Sequence, residues 1–287
     1  MQSTASSHPN AAHAARSFDK TDLLYVDSGG HLDIFSYPQG KAVEQITSED
    51  LGSDGICSDK DGNVYVPVFE QAQIYKFAHG ATQPSATLEM PQYEFAMSCA
   101  LDPSSGDLAV STDNGEVGVF KSATSAPVFY HLAGIYTTWY CTYDNTGDLF
   151  VGGTNGENGF TLLELPFGGS ALQAITLPAE VSPRLGIGWD GRHLVVAAEQ
   201  YVHDVTLLRL HVSGSHATVV GKTKLAGRPN TIGTEFWIAG DRVVEPDGNN
   251  DNVGVWSYPA GGRAITTLHD AGSFIFALTI SNGRKSR

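Results

Sequence analysis

The chain has 287 residues, 41% of them hydrophobic, with 17 Lys plus Arg against 31 Asp plus Glu for a formal charge of −14. That is enough apolar material to fill one large domain or two ordinary ones, while so acidic a surface repels phosphate backbones and anionic lipid and so excludes nucleic acid as a partner. No apolar run approaches the roughly 20 residues that span a bilayer, and no membrane insertion is expected.

Residues 1–20 (MQSTASSHPNAAHAARSFDK) carry neither a strand nor a helix period. They read as a tether or remnant left when an export signal has been removed, or as a frayed cytoplasmic terminus. From about residue 21 the chain becomes periodic. The stretch Ser53 to Gly80 is a short apolar strand, an Asp-x-Asp-Gly turn, an alternating strand, a polar gap and a second alternating strand. Its turn glycine, Gly62, heads a series with Gly106, Gly147, Gly191, Gly240 and Gly283, spaced by 44, 41, 44, 49 and 43 residues. A β-rich run follows each of the first five: Val64 to Val66, Leu108 to Val110, Leu149 to Val151, Leu194 to Val196, and Val243-Val244. A second alternating run comes next in each unit, as in Ile74 to Phe77, Val117 to Phe120 and Val253 to Trp256. Pro/Gly turns such as Tyr37-Pro38-Gln39-Gly40 and Tyr258-Pro259-Ala260-Gly261 then reverse the chain into a fourth strand, Ala42 to Ile46 or Ala264 to Leu268.

The sixth glycine has no strand after it, whereas Leu23 to Val26 opens a unit that lacks a first strand. Phe274 to Ser281 is expected to supply that strand, so that both termini build one blade. Four strands per roughly 40–50 residues, with no helical period, predict an all-β, six-bladed β-propeller of four-stranded antiparallel blades over residues 21–283, with 284–287 as a tail. The string Gly55 to Val66 (GICSDKDGNVYV) resembles the NHL repeat, closely in the second and third units and less so where Trp189-Asp190-Gly191-Arg192 shortens the turn and Ile238 to Asp241 loses the Asp before it. The resemblance implies the propeller fold, and propellers of this kind often serve as binding modules.

Each of the three Cys falls in an expected innermost strand. Cys57 lies two residues before its turn Asp59, while Cys99 and Cys141 lie three before Asp102 and Asp144. Side chains alternate along a strand, so Cys57 faces opposite to the other two and can meet Cys99 across a blade interface. A Cys57–Cys99 bridge would leave Cys141 free and imply an oxidising compartment; three small buried hydrophobes are the alternative.

Catalytic motifs are sparse. Gly186 to Gly191 matches G-x-G-x-x-G, but a strand rather than a helix follows, which excludes a dinucleotide loop. There is no G-x-S-x-G, H-E-x-x-H or C-x-x-C, and the ten His are scattered. Asp247, Asn249 and Asp251 have the alternation that puts oxygens on one side of a loop, yet Asn252 and Tyr258 stand where an EF-hand needs Gly and Glu. A solvated turn is the first reading there, and a divalent cation such as calcium the weaker one; no other cofactor is expected.

Function is then expected at the mouth of the central channel, where the loops between second and third strands meet those leading into the innermost strands. The former carry Asp27, Glu70, Asp113, Glu157, Glu199, Asp204, Glu245 and Asp247; Asp54, Tyr136, Trp139, Arg184 and Asn230 stand near the latter. The binding set chosen from these is Asp54, Tyr136, Trp139, Arg184, Glu199, Asn230 and Glu245. The first reading is a monomeric, non-catalytic, extracytoplasmic module (periplasmic, secreted or lipid-tethered) that binds a small molecule or a protein there. The alternative is a divalent-metal hydrolase resembling the SMP-30 and gluconolactonase group, with Glu245, Asn230 and Asp54 holding an ion that polarises a lactone carbonyl.

Overall fold

The computed structural model describes residues 18, 20–48, 51–90, 95–156, 159–179, 181, 183–200, 204–227, 235–247, 251–272 and 275–284; for 183–185, 199, 200, 204 and 247 it describes the backbone alone. Six antiparallel sheets follow one another around a ring. The first blade joins the two ends of the chain: Ala277–Ser281 is innermost, followed outward by Leu23–Asp27, His31–Ser36 and Ala42–Thr47. The innermost strands of blades two to six are Cys57–Ser58, Ala96–Leu101, Ile135–Tyr143, Pro183–Trp189 and Trp237–Ala239. Among the described residues, the helical content is one 3-10 turn, Lys121–Ala123.

Strand alternation explains how the ring packs. In the second strand of blade one, Leu23 and Tyr25 join the apolar cluster shared with blade two (Ile56, Val64, Val66, Phe77), while Leu24 and Val26 join the cluster shared with blade six (Val244, Val253, Val255). The same division recurs around the ring, so that six buried clusters fill six interfaces. Each blade is thus apolar on both faces, and burial across the interfaces is the main stabilising force.

The turn pattern follows from its hydrogen bonds. Asp59 Oδ1 accepts from the N–H of Asp61 (2.9 Å) and of Asn63 (2.8 Å), and its Oδ2 accepts from the Asn63 side-chain amide (2.7 Å). This is an Asx turn. Asp102, Asp144 and Asp190 hold their own turns in the same way. Gly62 adopts φ +83°, and a Cβ there would lie 2.6 Å from the carbonyl oxygen of Asn282, so glycine is required on both counts. Gly283 differs from the other five turn glycines: it has no left-handed φ, a Cβ on it would lie 2.7 Å from the Lys20 carbonyl carbon, and its N–H donates to Asp22 Oδ1 (2.9 Å).

Two boundaries differ from those expected. Of the closing strand expected over 274–281, residue 274 lies outside the described residues, and the described strand begins at Ala277, where the Phe276 carbonyl accepts the Glu235 N–H (3.2 Å) instead of joining the ladder. The fourth strand of blade six is Thr266–Leu268 rather than Ala264 to Leu268: the preceding Gly262–Arg263 instead pairs in parallel with Leu225 and Ala226, giving blade five a fifth strand.

Cys57 and Cys99 form a disulfide between blades two and three, with Cα atoms 5.6 Å apart, and Cys141 is free and buried. Burial pushes the Cys141 thiol well up, which keeps it inert. Thiol counting on unfolded, unreduced protein should therefore give one free Cys. With a sequence separation of 42 between the bridged positions, closing that loop in the unfolded chain is worth about 4 kcal/mol, so a Cys57→Ala, Cys99→Ala double variant should melt several degrees lower. A variant that melts with its parent would show that the bridge adds nothing. Deleting 277–287 should abolish soluble, cooperatively folding protein, since it exposes apolar faces of blades two and six; an unchanged melting curve would contradict closure through the C-terminal strand.

Candidate functional site

The loop Phe69 to Gln71 and the segment Leu51 to Asp54 share one end of the ring and are tied by the Phe69 N–H donating to the Gly52 carbonyl (3.3 Å). With Asp27, Gly29, Val68 and Phe276 they line an open cleft of about 420 Å³ at the channel mouth, between blades one and two. Its size suits a small ligand or one side chain of a partner. Three carboxyls line it, Asp27, Asp54 and Glu70, and no Lys or Arg does so among the described residues. Phe69 stacks on Phe95 with ring centroids 4.7 Å apart. Phe95 (40% exposed), Phe276 (43%) and Tyr136 (65%) leave a broken aromatic rim around the mouth.

Asp27 was expected in a loop, but it is the last residue of a strand and only 1% exposed. The alternation that sends Leu23 and Tyr25 toward blade two sends Asp27 there as well, facing the row Val64, Val66, Val68. A carboxyl therefore stands where the interface is otherwise apolar. Its Oδ1 accepts the Gly29 N–H (3.1 Å), whereas Oδ2 is buried without a hydrogen-bond partner among the described residues. Burial pushes the Asp27 carboxyl up to about 7; the Gly29 and Ser53 N–H groups oppose the rise, and the charges of Asp54 and Asp33 add to it. Asp54 is itself raised by burial. Asp33, by contrast, is satisfied, accepting from Ser28 Oγ (2.8 Å) and Gln45 Nε2 (2.7 Å).

Beneath the mouth lies Glu235, 7% exposed, a residue that sequence reasoning missed. Its Oε2 accepts the backbone N–H of Ile56 in blade two (3.0 Å) and of Leu278 in blade one (3.2 Å), so a carboxyl from the start of blade six ties two further blades. Burial holds it well above the usual carboxylate range, against the pull of those two N–H groups. Glu235 also lines a second opening of about 390 Å³ among the inner strands.

Of the expected binding set, Asp54 lines the cleft. Tyr136 lies in the inner strand of blade four with its ring over Gly156, and Trp139 in the same strand is half-buried against the apolar cluster of blades four and five. Glu245 is buried in the second strand of blade six, not in a loop. Glu199, Asp204 and Asp247 likewise belong to strands by their backbone, as does Arg184; their side chains, together with the whole of Asn230, Asn249 and Glu157, lie outside the described residues. Asp251 has φ +55°. Among the described residues no three His, Cys, Asp or Glu groups converge as a metal set, and no helix is long and apolar enough to cross a membrane.

No known protein family matches the sequence, and no curated protein matches it significantly. Solved structures do match. A chain from the crystal structure of a nidogen/laminin complex superposes with a TM-score of 0.73 at 13% identity, over 92% of this chain and 100% of that one. A protein of unknown function from Bacteroides caccae gives 0.66 at 10% identity, over 91% and 99%. Apo AztD from Citrobacter koseri gives 0.55 at 10%, over 92% and 99%. At these identities the likeness shows the six-bladed propeller fold, and a fold of this kind is compatible with binding without specifying a ligand.

The raised carboxyl at Asp27 has a definite pH signature. A folded pKa near 7 against 3.8 for the free group means that the folded state holds the extra proton, so this contribution to stability is complete below pH 3.8 and is lost as pH rises to about 7. Asp27→Asn removes the penalty. Chemical denaturation at several pH values should show the variant gaining on its parent steadily from about pH 4 to pH 7; a difference flat across that range would mean that Asp27 is solvated.

Proposed function

We propose that the protein is a non-catalytic binding module working outside the cytoplasm, and that it takes its ligand at the acidic, aromatic channel mouth. The observation that carries this reading is the cleft between blades one and two: a cavity of about 420 Å³ with Asp27, Asp54 and Glu70 on its walls and Phe276 exposed beside it. Exposed rings grouped around an opening are costly to leave in water and are what an interaction site requires. The Cys57–Cys99 bridge supports an oxidising compartment. The likeness of Gly55 to Val66 to the NHL repeat is in keeping with a binding role.

The test is a melting screen against small-molecule probes (organic amines, sugars, nucleosides, aromatic acids), beside a lactone and ester panel with and without added calcium, magnesium, manganese and zinc. A ligand at 100 times its dissociation constant adds about 2.7 kcal/mol, a shift of roughly 5 °C for a domain of this size. At least one probe class should give such a shift in the parent and lose it in Phe276→Ala, with no turnover on the panel. Lactone hydrolysis that needs a divalent ion and disappears in Glu245→Gln would replace this reading with the metal-hydrolase one, and the absence of any shift sensitive to Phe276→Ala would also overturn it.

A further inference from the structure

We propose that the cleft between blades one and two recognises a protonated organic amine, with the ammonium on Asp27 Oδ2 and the apolar body between Phe69 and Phe276. This rests on the reading of the channel mouth as the binding face and names the chemistry of its ligand.

Asp27 is out of place among its neighbours. Leu23, Tyr25, Val64 and Val66 make the interface of blades one and two apolar, and Asp27 continues the same row. Desolvating a carboxylate costs several kcal/mol unless a partner compensates. The oxygen Oδ1 has its partner in the Gly29 N–H; the Ser53 N–H stands near the carboxyl without meeting hydrogen-bond geometry, and Oδ2 has no hydrogen bond among the described residues, although the side chain is buried and lines the cleft. Native proteins satisfy most buried polar atoms, so such an exception calls for a partner brought from outside. Asp54 and Glu70 line the same cleft and add negative charge, with no described cation beside them, so the partner must donate a proton and carry positive charge.

The remaining walls select among cations. Leu51, Val68, Phe69 and Phe276 line the cavity and are apolar. A hard metal ion needs about six oxygen ligands, and no metal set converges among the described residues. An ammonium or guanidinium on an apolar stem fits both halves: N–H groups reach the carboxyls, methylenes or a ring lie on the phenyl faces, and the charge gains further from those faces. A neutral hydroxyl or amide would pair Oδ2 but leave the charge of the three carboxyls unanswered, and an anion would be repelled. Two sources share this chemistry, a free amine and a Lys or Arg side chain presented by a partner protein.

The experiment is calorimetric titration of the full-length protein with benzylamine, N-acetyl-lysine methylamide and N-acetyl-arginine methylamide. Benzyl alcohol and N-acetyl-norleucine methylamide serve as neutral counterparts, and calcium and zinc chlorides as metal probes. At least one cationic probe should bind saturably at one site, with its neutral counterpart at least 10-fold weaker. Asp27→Asn should weaken it at least 10-fold without lowering the melting temperature, and Phe276→Ala several-fold. Preference for benzylamine assigns a free amine, and preference for the lysine or arginine derivative assigns a presented side chain. Should Asp27→Asn fail to fold, Glu70→Gln and Phe276→Ala carry the same comparison. Equal binding of charged and neutral probes, indifference to Asp27→Asn, or saturable binding by the metal chlorides alone overturns the proposal. A mouth ligand that Phe276→Ala weakens and Asp27→Asn leaves untouched would sink the amine and spare the binding module, whereas metal-dependent lactone turnover would sink the module itself.

Discussion

Closure of the ring at the seam of blades six, one and two is the constraint on which the other features depend. A propeller has no single core; its stability is spread over six interfaces, each complete only when both neighbouring blades are in place. Here the seam strand Ala277–Ser281 comes from the far end of the chain and pairs with Leu23–Asp27. Polar side chains bolt it down. Glu235 accepts from Leu278 and Ile56, Ser58 Oγ donates to the Ile280 carbonyl (2.8 Å), and Ser281 Oγ meets the His79 ring nitrogen (2.6 Å). Such pairings cross from 43 to 222 positions of sequence, so they form only when the ring has closed.

Among the described residues the same seam gathers four of the six buried acids, the other two being Asp102 and Asp107 of blade three. Asp27, Asp33, Glu235 and Glu245 are all buried in blades one or six or at their junction, and Asp54 stands at the edge of blade two. The interface of blades three and four, by contrast, is filled by Ala109, Val117, Val119, Tyr143, Leu149 and Val151. Buried carboxyls stabilise poorly, and beyond its own burial the charge of Asp27 adds to the rise at Glu235. Of these, Asp27 and Asp54 line the cleft, whereas Glu235 accepts N–H bonds from two other blades.

The fold was legible because its signals are local. The Asp that holds the turns of blades two to five, the glycine that allows them and the alternating strands after them are read directly from strings such as Ser58-Asp59-Lys60-Asp61-Gly62, and the facing of Cys57 and Cys99 follows from counting residues to those turns. The site was less so, because burial is a tertiary property. Asp27 looked like a loop acid since Gly29 and Gly30 follow it, yet the row Leu23, Tyr25, Asp27 already pointed it into an interface. Glu235 carries its own faint signal as a lone acid before the apolar Phe236-Trp237-Ile238, but its partners Ile56 and Leu278 lie in other blades, and no spacing within its own repeat reveals them. Phe69 and Phe276 carry no signal for the same reason: each reads as an ordinary strand residue until the loops of two blades are set side by side.

Ring closure holds the carboxyls of Asp27 and Glu235 out of water on the two sides of the seam. Site-resolved carboxyl titration by carbon NMR tests it most directly. The account predicts that Asp27 titrates near 7 and Glu235 well above the usual carboxylate range, while the turn acids Asp102 and Asp190, held by several hydrogen bonds, titrate below it. If Asp27 and Glu235 instead titrate near 4 as free carboxyls do, the seam is hydrated and the account is wrong.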